Sequence, residues 1–302
     1  MKQVKPKKQL GQHFLTDLSI ARRIADTVDA CPDIPVLEIG PGMGVLTQFL
    51  LEKPRPVCAV EIDRESIAYL REHFPAFSTP LPTGEKPEAG ASPLSFGEGQ
   101  GVGLLSGDFL RMDLRELFGG RQFVLTGNYP YDISSQIFFK MLDNRDLIPC
   151  CTGMIQHEVA LRMAAKPGSK TYGILSVLIQ AWYDVEYLFT VEPSVFNPPP
   201  KVQSAVIRMT RNDVTSLGCD EQLFRQVVKT TFNQRRKMLR VSLRQMLSAD
   251  TIASLQELLN QKEGTLSTGD ALSDLFTRRP EQLAIPDFVL LTNLIADHTA
   301  KE

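Results

Sequence analysis

Several things are missing from this 302-residue chain, and each absence narrows what it does. No stretch approaches the about 18 consecutive apolar residues of a membrane-spanning helix, and the basic start MKQVKPKKQLGQHF leads into no apolar leader core. A soluble, cytoplasmic protein without a membrane partner is expected. Cysteine is sparse. Cys31, Cys58, Cys150, Cys151 and Cys219 form an odd set with no CxxC pair, which fits neither a zinc site nor a disulfide framework and predicts reduced thiols and no bound metal. A charge excess is absent too: 33 Lys and Arg face 35 Asp and Glu, for a formal net charge of −2. Bulk attraction to a polyanion is thereby excluded, so a nucleic acid must be met by local basic patches. No internal repeat is visible. The 43% apolar content supports a real core, enough for one large domain and a smaller one.

Residues 16–30 carry a helical stripe (Leu18, Ile20, Ala21, Ile24, Ala25, Val28) with Thr16 or Asp17 as N-cap. Short apolar runs then alternate with helical stretches: VLEIG (36–40), a helix from Gly44, VCAVEID (57–63), a helix from Arg64, QFVLTGN (122–128) and a helix from Ile133. Segments 151–157, 184–191 and 202–210 read as further strands. That alternation predicts an α/β fold, a parallel sheet covered by helices on both faces. Residues 78–103 interrupt it with ten Pro plus Gly in 26 positions and are expected to form a flexible surface insertion, with an active-site lid as the alternative. Strand signals stop past Asn212. Residues 219–299 have a helical period broken near Gly264–Gly269, so the expected division is a domain over 1–212 and an all-helical domain over 213–302.

Glu38-Ile39-Gly40-Pro41-Gly42-Met43-Gly44 joins a buried-type strand to a helix, and its glycines permit a tight turn and close approach of a ligand. It reads as a nucleotide-cofactor loop; a plain strand-to-helix turn is the bland alternative. The spacing departs from the dinucleotide GxGxxG and disfavours NAD. Glu61 ends the second strand, where a carboxylate accepts both ribose hydroxyls of a ligand. Asp108 ends the third, where it accepts from an adenine amino group. Either acid alone also serves as a helix N-cap.

Asn128-Tyr129-Pro130-Tyr131 follows the fourth strand. An adenine amino nitrogen is a poor nucleophile because its lone pair is delocalised into the ring. Two acceptors, the Asn128 side-chain oxygen and a backbone carbonyl held outward before Pro130, bind its two hydrogens and favour a pyramidal nitrogen. Tyr131 offers a stacking face to an extruded base, worth about 1–3 kcal/mol. Phe196, in FNPPPK, is a candidate second flat partner, or else a buried aromatic under a proline loop.

These residues resemble the small-subunit ribosomal RNA adenine dimethyltransferases of KsgA type. The resemblance runs through LGQHFL (10–15), EIGPGMGVLT (38–47), VEID (60–63), GD (107–108), NYPY (128–131), QHEVALR (156–162), YGILSVLIQ (172–180), FNPPPKVQSAVIR (196–208) and FNQRRKMLR (232–240). It implies a Rossmann-like class I methyltransferase domain with a small helical C-terminal domain and S-adenosylmethionine as cofactor. It further implies dimethylation of two adjacent adenines in a hairpin loop near the 3′ end of small-subunit (16S) ribosomal RNA, within an immature 30S particle. Carried over by position, His13, Leu15, Gly40, Glu61, Asp108 and Asn128 form the cofactor set; Asn128, Tyr131 and Phe196 form the base-holding set. His13 stands where the family often has Asn, Tyr129 replaces the usual Leu, and the 78–103 insertion is not a usual family feature. A monomer is expected.

For RNA contact, Lys2, Lys5, Lys7 and Lys8 form a basic arm. On a continuous helix, Arg225, Lys229, Arg236, Arg240 and Arg244 share one face, flanked by Arg235 and Lys237. A solvated tail and a solvated face are the bland alternatives. Competing functions are dimethylation of large-subunit RNA, a DNA adenine methyltransferase, and a non-catalytic assembly or transcription factor on the same fold.

Overall fold

The computed structural model describes residue 7, residues 13–78 and residues 102–299. Lys2, Lys5 and Lys8 of the basic arm, and 79–101 of the Pro- and Gly-rich segment, lie outside the described residues. The chain divides into two compact units. One runs to Ala160 and resumes over Asp184–Arg211; the other comprises Leu161–Tyr183 and the chain from Asn212 onward. This corrects the expected single cut after residue 212, because 161–183 belongs with the helical part. Within that second unit the Arg235 guanidinium donates to the Ser169 and Lys170 carbonyls, Gly168 N donates to Glu281 O at 2.6 Å, and the Tyr172 ring stands edge-on to Phe232. An amphipathic piece between two strands carries no sequence sign of which unit it joins.

In chain order the elements up to residue 211 are β1 (Phe14–Leu15), α1 (Leu18–Asp26), β2 (Val36–Ile39), α2 (Thr47–Leu50), β3 (Val57–Glu61), α3 (Arg64–His73), β4 (Val102–Ser106), α4 (Leu114–Phe118), β5 (Val124–Thr126), α5 (Ser134–Asp143), β6 (Cys150–Gln156), α6 (His157–Met163), α7 (Ile174–Gln180), β7 (Tyr183–Val191), β8 (Phe196–Asn197) and β9 (Ser204–Arg211). Asp17 caps α1 by accepting from Ser19 N and Ile20 N, and Ala21, Ile24 and Ala25 form its buried stripe. Seven strands order β4-β3-β2-β5-β6-β9-β7; β4 through β6 pair in parallel and β9 runs antiparallel to β6. Every residue of β2, β3 and β5 is buried, as a sheet covered on both faces requires. The chain walks outward from β2 to β4 and then returns to β5 beside β2. That reversal opens a crevice at the carboxyl ends of β2 and β5, the place where open α/β sheets take ligands.

Two expectations within this unit change. The helix foreseen from Gly44 is a run of turns that becomes α-helical only at Thr47. The thiols are not all separate: Cys31 and Cys150, 119 residues apart in sequence, form a disulfide, while Cys58, Cys151 and Cys219 remain free. Only the fold brings that pair together, at a Cα separation of 5.8 Å, so spacing along the chain held no hint of it.

The second unit adds α8 (Glu221–Asn233), α9 (Leu239–Ser242), α10 (Ala249–Asn260) and α11 (Ile285–Thr299) around a core that includes Phe224, Val228, Phe232, Phe276 and Phe288. The continuous basic helix is not formed. α8 ends at Asn233 and a turn closed by Lys237 N donating to Gln234 O at 2.7 Å precedes α9, so Arg225 and Lys229 sit on a different helix from Arg240. Arg235 is engaged inside the unit as described, whereas Arg236, Lys237, Arg240 and Arg244 are exposed. Among the described residues no helix is long and apolar enough to cross a membrane.

Candidate active site

The glycine loop after β2 takes its shape from backbone that only glycine adopts readily: φ is 65° at Gly40 and 76° at Gly44. At Gly44 space is lacking as well, since a Cβ would stand 2.3 Å from the Phe74 ring. Glu61, at the end of β3, fastens this loop. Its Oε2 accepts from Gly42 N at 3.0 Å and its Oε1 from Ile62 N and Asp63 N at 2.9 Å each. The helix α3 is capped by Asp63 and not by Glu61. Asp108 does cap, accepting from Leu110 N at 2.9 Å, and still reaches the cavity wall.

Glu38, at the end of β2, lies fully inside and accepts from the Thr47 hydroxyl at 2.7 Å. Burial pushes its carboxyl up to about 8, with the Thr47 hydrogen bond opposing and the nearby Glu61 adding to the rise. Burial raises the Glu61 carboxyl too, against its three backbone donors.

After β5 the chain is stapled to β6. Met154 N donates to Gly127 O and Tyr129 N to Met154 O, both at 2.9 Å. The Tyr129 ring is fully buried, and its hydroxyl donates to Thr152 O at 2.9 Å beside the Cys151 thiol. A side chain expected to matter only for its carbonyl is thus an anchor for the motif; a large aromatic between Asn128 and Pro130 was the signal that could have revealed it. Asn128 Nδ2 donates to His13 O at 3.3 Å, leaving Oδ1 as the acceptor end. Among the described residues nothing donates to Asn128 Oδ1 or to Tyr129 O. The Tyr131 hydroxyl pairs with that of Ser204, and burial pushes the phenol up.

His13, Leu15, Gly40, Glu61, Asp108, Asn128 and Tyr131 all line one cavity of about 270 Å³. Phe196 does not. In the β1–β8 ladder Leu15 pairs with Phe196, which points both side chains to one face, and Phe196 is 4% exposed in a core cluster with Leu15, Ile24 and Phe49. Lys7, expected to contact phosphate, instead pairs with Asp63 at 2.5 Å and Glu65 at 3.1 Å. The described wall contributes Glu38, Glu61, Asp108 and Asp132 but no Lys or Arg. Such acceptor-rich chemistry suits a cationic ligand with ribose hydroxyls better than a pyrophosphate.

A family model described as ribosomal RNA adenine dimethylase matches residues 3–87 and 92–267. The chain belongs to the ribosomal RNA adenine dimethylase family. As an rRNA adenine dimethyltransferase it is 60% identical over 292 residues, 97% of this chain and 90% of the relative, to a ribosomal RNA small subunit methyltransferase A of Phocaeicola vulgatus. A protein of the same name in Bacteroides thetaiotaomicron is 59% identical, with 98% of this chain and 96% of that one covered. In fold, this family member is similar to a dimethyladenosine transferase from Plasmodium falciparum at TM-score 0.68 and 23% identity, covering 96% of this chain and 98% of that one. It is similar also to the 23S rRNA methyltransferase ErmE at TM-score 0.59 and 24% identity, covering 93% and 99%. The family match breaks only at 88–91, inside the segment expected to be an insertion.

Proposed function

We propose that this dimethyltransferase uses S-adenosylmethionine to convert two adjacent adenosines, in the 3′-terminal hairpin loop of small-subunit (16S) ribosomal RNA, to N6,N6-dimethyladenosine. It acts in the cytoplasm as a monomer on an immature 30S particle. The observation that carries the chemistry is the pair of open acceptors, Asn128 Oδ1 and Tyr129 O, at the end of β5 in the same cavity wall as the glycine loop. The small-subunit assignment is supported by the names of the relatives at 59–60% identity.

When bound, S-adenosylmethionine supplies an electrophilic methyl on a sulfonium. His13, Leu15, Gly40, Glu61, Asp108 and Asn128 are the residues that would hold it, and the acids of the wall other than the protonated Glu38 suit its positive charge. Asn128 Oδ1 and the Tyr129 carbonyl hold the two N6 hydrogens of the target adenine and turn its lone pair out of the ring plane. Tyr131 flanks the base. No strong general base is needed for the attack, because alignment and the electrostatics of the pocket carry it; the thioether S-adenosylhomocysteine would be the leaving group, and the methylated nitrogen, cationic once it has given its lone pair, sheds its proton to solvent. Exposed Arg236, Lys237, Arg240 and Arg244 offer phosphate contacts on the helical unit.

The test is incubation with labelled cofactor and undermethylated small subunits, followed by digestion and identification of the nucleoside. Dimethyladenosine at adjacent positions is expected. Label only in large-subunit RNA or in duplex DNA would replace this assignment.

A further inference from the structure

Between β4 and α4 the chain makes a single 3₁₀ turn, Phe109–Arg111, that Asp108 caps. Asp108 Oδ1 accepts from Leu110 N at 2.9 Å, Arg111 N donates to Asp108 O at 3.0 Å, and Met112 N donates to Phe109 O at 3.3 Å. So short a turn cannot satisfy its last carbonyls from within. The partner is a cation from another element. Lys140, half-buried on α5, donates from Nζ to Leu110 O at 3.0 Å and to Met112 O, and its ammonium stands 5.4 Å from the centre of the Phe109 ring. An ammonium at the carboxyl end of a helical turn meets the open acceptors and the negative end of the dipole together. Gly107, Asp108, Phe109 and Leu110 line the cavity, and Lys140 stands behind them, outside its wall. Since α5 begins at Ser134, just past NYPY, one side chain links the wall at the end of β4 to the helix that continues the motif.

We infer that Lys140 is a positioning residue for the adenine end of the cofactor site: it touches no ligand itself and holds the turn that aims Asp108. The inference rests on the reading of Asp108 as the acceptor of the adenine amino group. With Oδ1 spent on Leu110 N, Oδ2 is the atom left for the ligand. Its neighbour Arg111 Nε, at 3.5 Å, belongs to a side chain that is 89% exposed, so that contact is loose and screened by water. The direction of Oδ2 is therefore set by the bond to Leu110 N, and Leu110 is fixed in turn by Lys140 at its carbonyl. Without the ammonium the turn keeps two open carbonyls and a freer carboxylate, and the ligand must order the loop as it binds.

The experiment compares the parent with Lys140→Met, Lys140→Arg and Asp108→Asn by thermal unfolding and by calorimetry against two ligands. One is S-adenosylhomocysteine; the other is S-inosylhomocysteine, which has an oxygen in place of the adenine amino group. The parent is expected to prefer the adenine ligand. Lys140→Met should lose about tenfold in S-adenosylhomocysteine affinity, the scale of one charge-assisted hydrogen bond, and bind S-inosylhomocysteine within about twofold of the parent. The preference between the two bases then shrinks by nearly the same factor. Lys140→Arg, which keeps the charge and the donors, recovers most of that preference. A purely structural role would weaken both ligands together, in step with the unfolding midpoint. If Lys140→Met does not fold, Lys140→Gln, neutral and too short to span to both carbonyls, carries the comparison with Lys140→Arg. An unchanged preference in the Met or Gln variant, or an equal loss for both ligands, overturns the inference. A parent that binds both ligands alike, or an Asp108→Asn that keeps the full preference, overturns instead the reading of Asp108 on which the inference stands.

Discussion

An asparagine amide has a donor end and an acceptor end, and at Asn128 the two have separate tasks. Nδ2 is spent on His13 O, which sets the plane of the group; Oδ1 is left for the substrate. Asn128→Asp keeps the size and the acceptor yet places an oxygen against the His13 carbonyl, so the side chain must turn away. The expected result is a folded enzyme whose single-turnover rate falls about 100-fold or more, the cost of one preorganised hydrogen-bonding group; a rate near the parent's would show that the donor end does nothing. Glu38 makes a prediction of a different kind. Its carboxyl is raised from 4.5 to about 8 in the folded protein, so the folded state holds a proton that the unfolded chain releases. The stability tied to that proton is present in full below the unfolded value and drains away as pH rises from 4.5 toward 8, with a limiting slope of about 1.4 kcal/mol per pH unit. Glu38→Gln, a neutral mimic of the protonated form, still accepts from Thr47 and escapes the loss. Thermal unfolding of the ligand-free proteins between pH 5 and 9 should show the parent falling relative to the variant, and parallel curves would contradict the proton's presence.

At the scale of elements, the β5-to-α5 connection and β6 act as one piece. Gly153 allows it: a Cβ there would lie 2.3 Å from Gly127 O and 2.7 Å from the Tyr129 ring, at a φ of 142°. Gly153→Ala should destabilise by about 1–3 kcal/mol, from backbone strain and overpacking, and should lower kcat more than a matched destabilisation elsewhere in the sheet. Unfolding midpoints and kcat measured together check both halves. Gly153 was not legible in the sequence, because β6 meets the NYPY motif across the sheet and a β-bridge leaves no periodicity to read, and of the Tyr129 anchor the sequence showed only the aromatic side chain and not its partner strand. What was legible was local. Continuous apolar runs marked β2, β3 and β5, the pair Thr16-Asp17 marked the start of α1, and the glycine and NYPY motifs marked the strand ends that carry the cavity. Phe196 shows a different limit. A motif position names a residue but not the direction of its side chain, and the two-residue pairing with β1 turned this one inward.

For the whole molecule, two units imply two separable binding energies. The cavity, with every predicted site residue except Phe196 in its wall, belongs to the unit built on the sheet. The exposed cations Arg236, Lys237, Arg240 and Arg244 belong to the helical unit, and Met238 and Val241 stand exposed among them at 38% and 36%. A net charge of −2 for the chain means that this local patch, and not the overall field, must attract a polyanion. Replacing Arg236, Lys237, Arg240 and Arg244 together by glutamine should leave S-adenosylhomocysteine affinity unchanged and weaken binding of the small-subunit RNA. The dependence of log K on log salt should flatten by about 0.7–0.9 for each phosphate contact removed. Binding titrations at several salt concentrations give both quantities. A weaker but equally steep dependence would mean that the four cations act on the helical unit's own fold and not on phosphate, and an unchanged affinity would move the RNA to another face altogether.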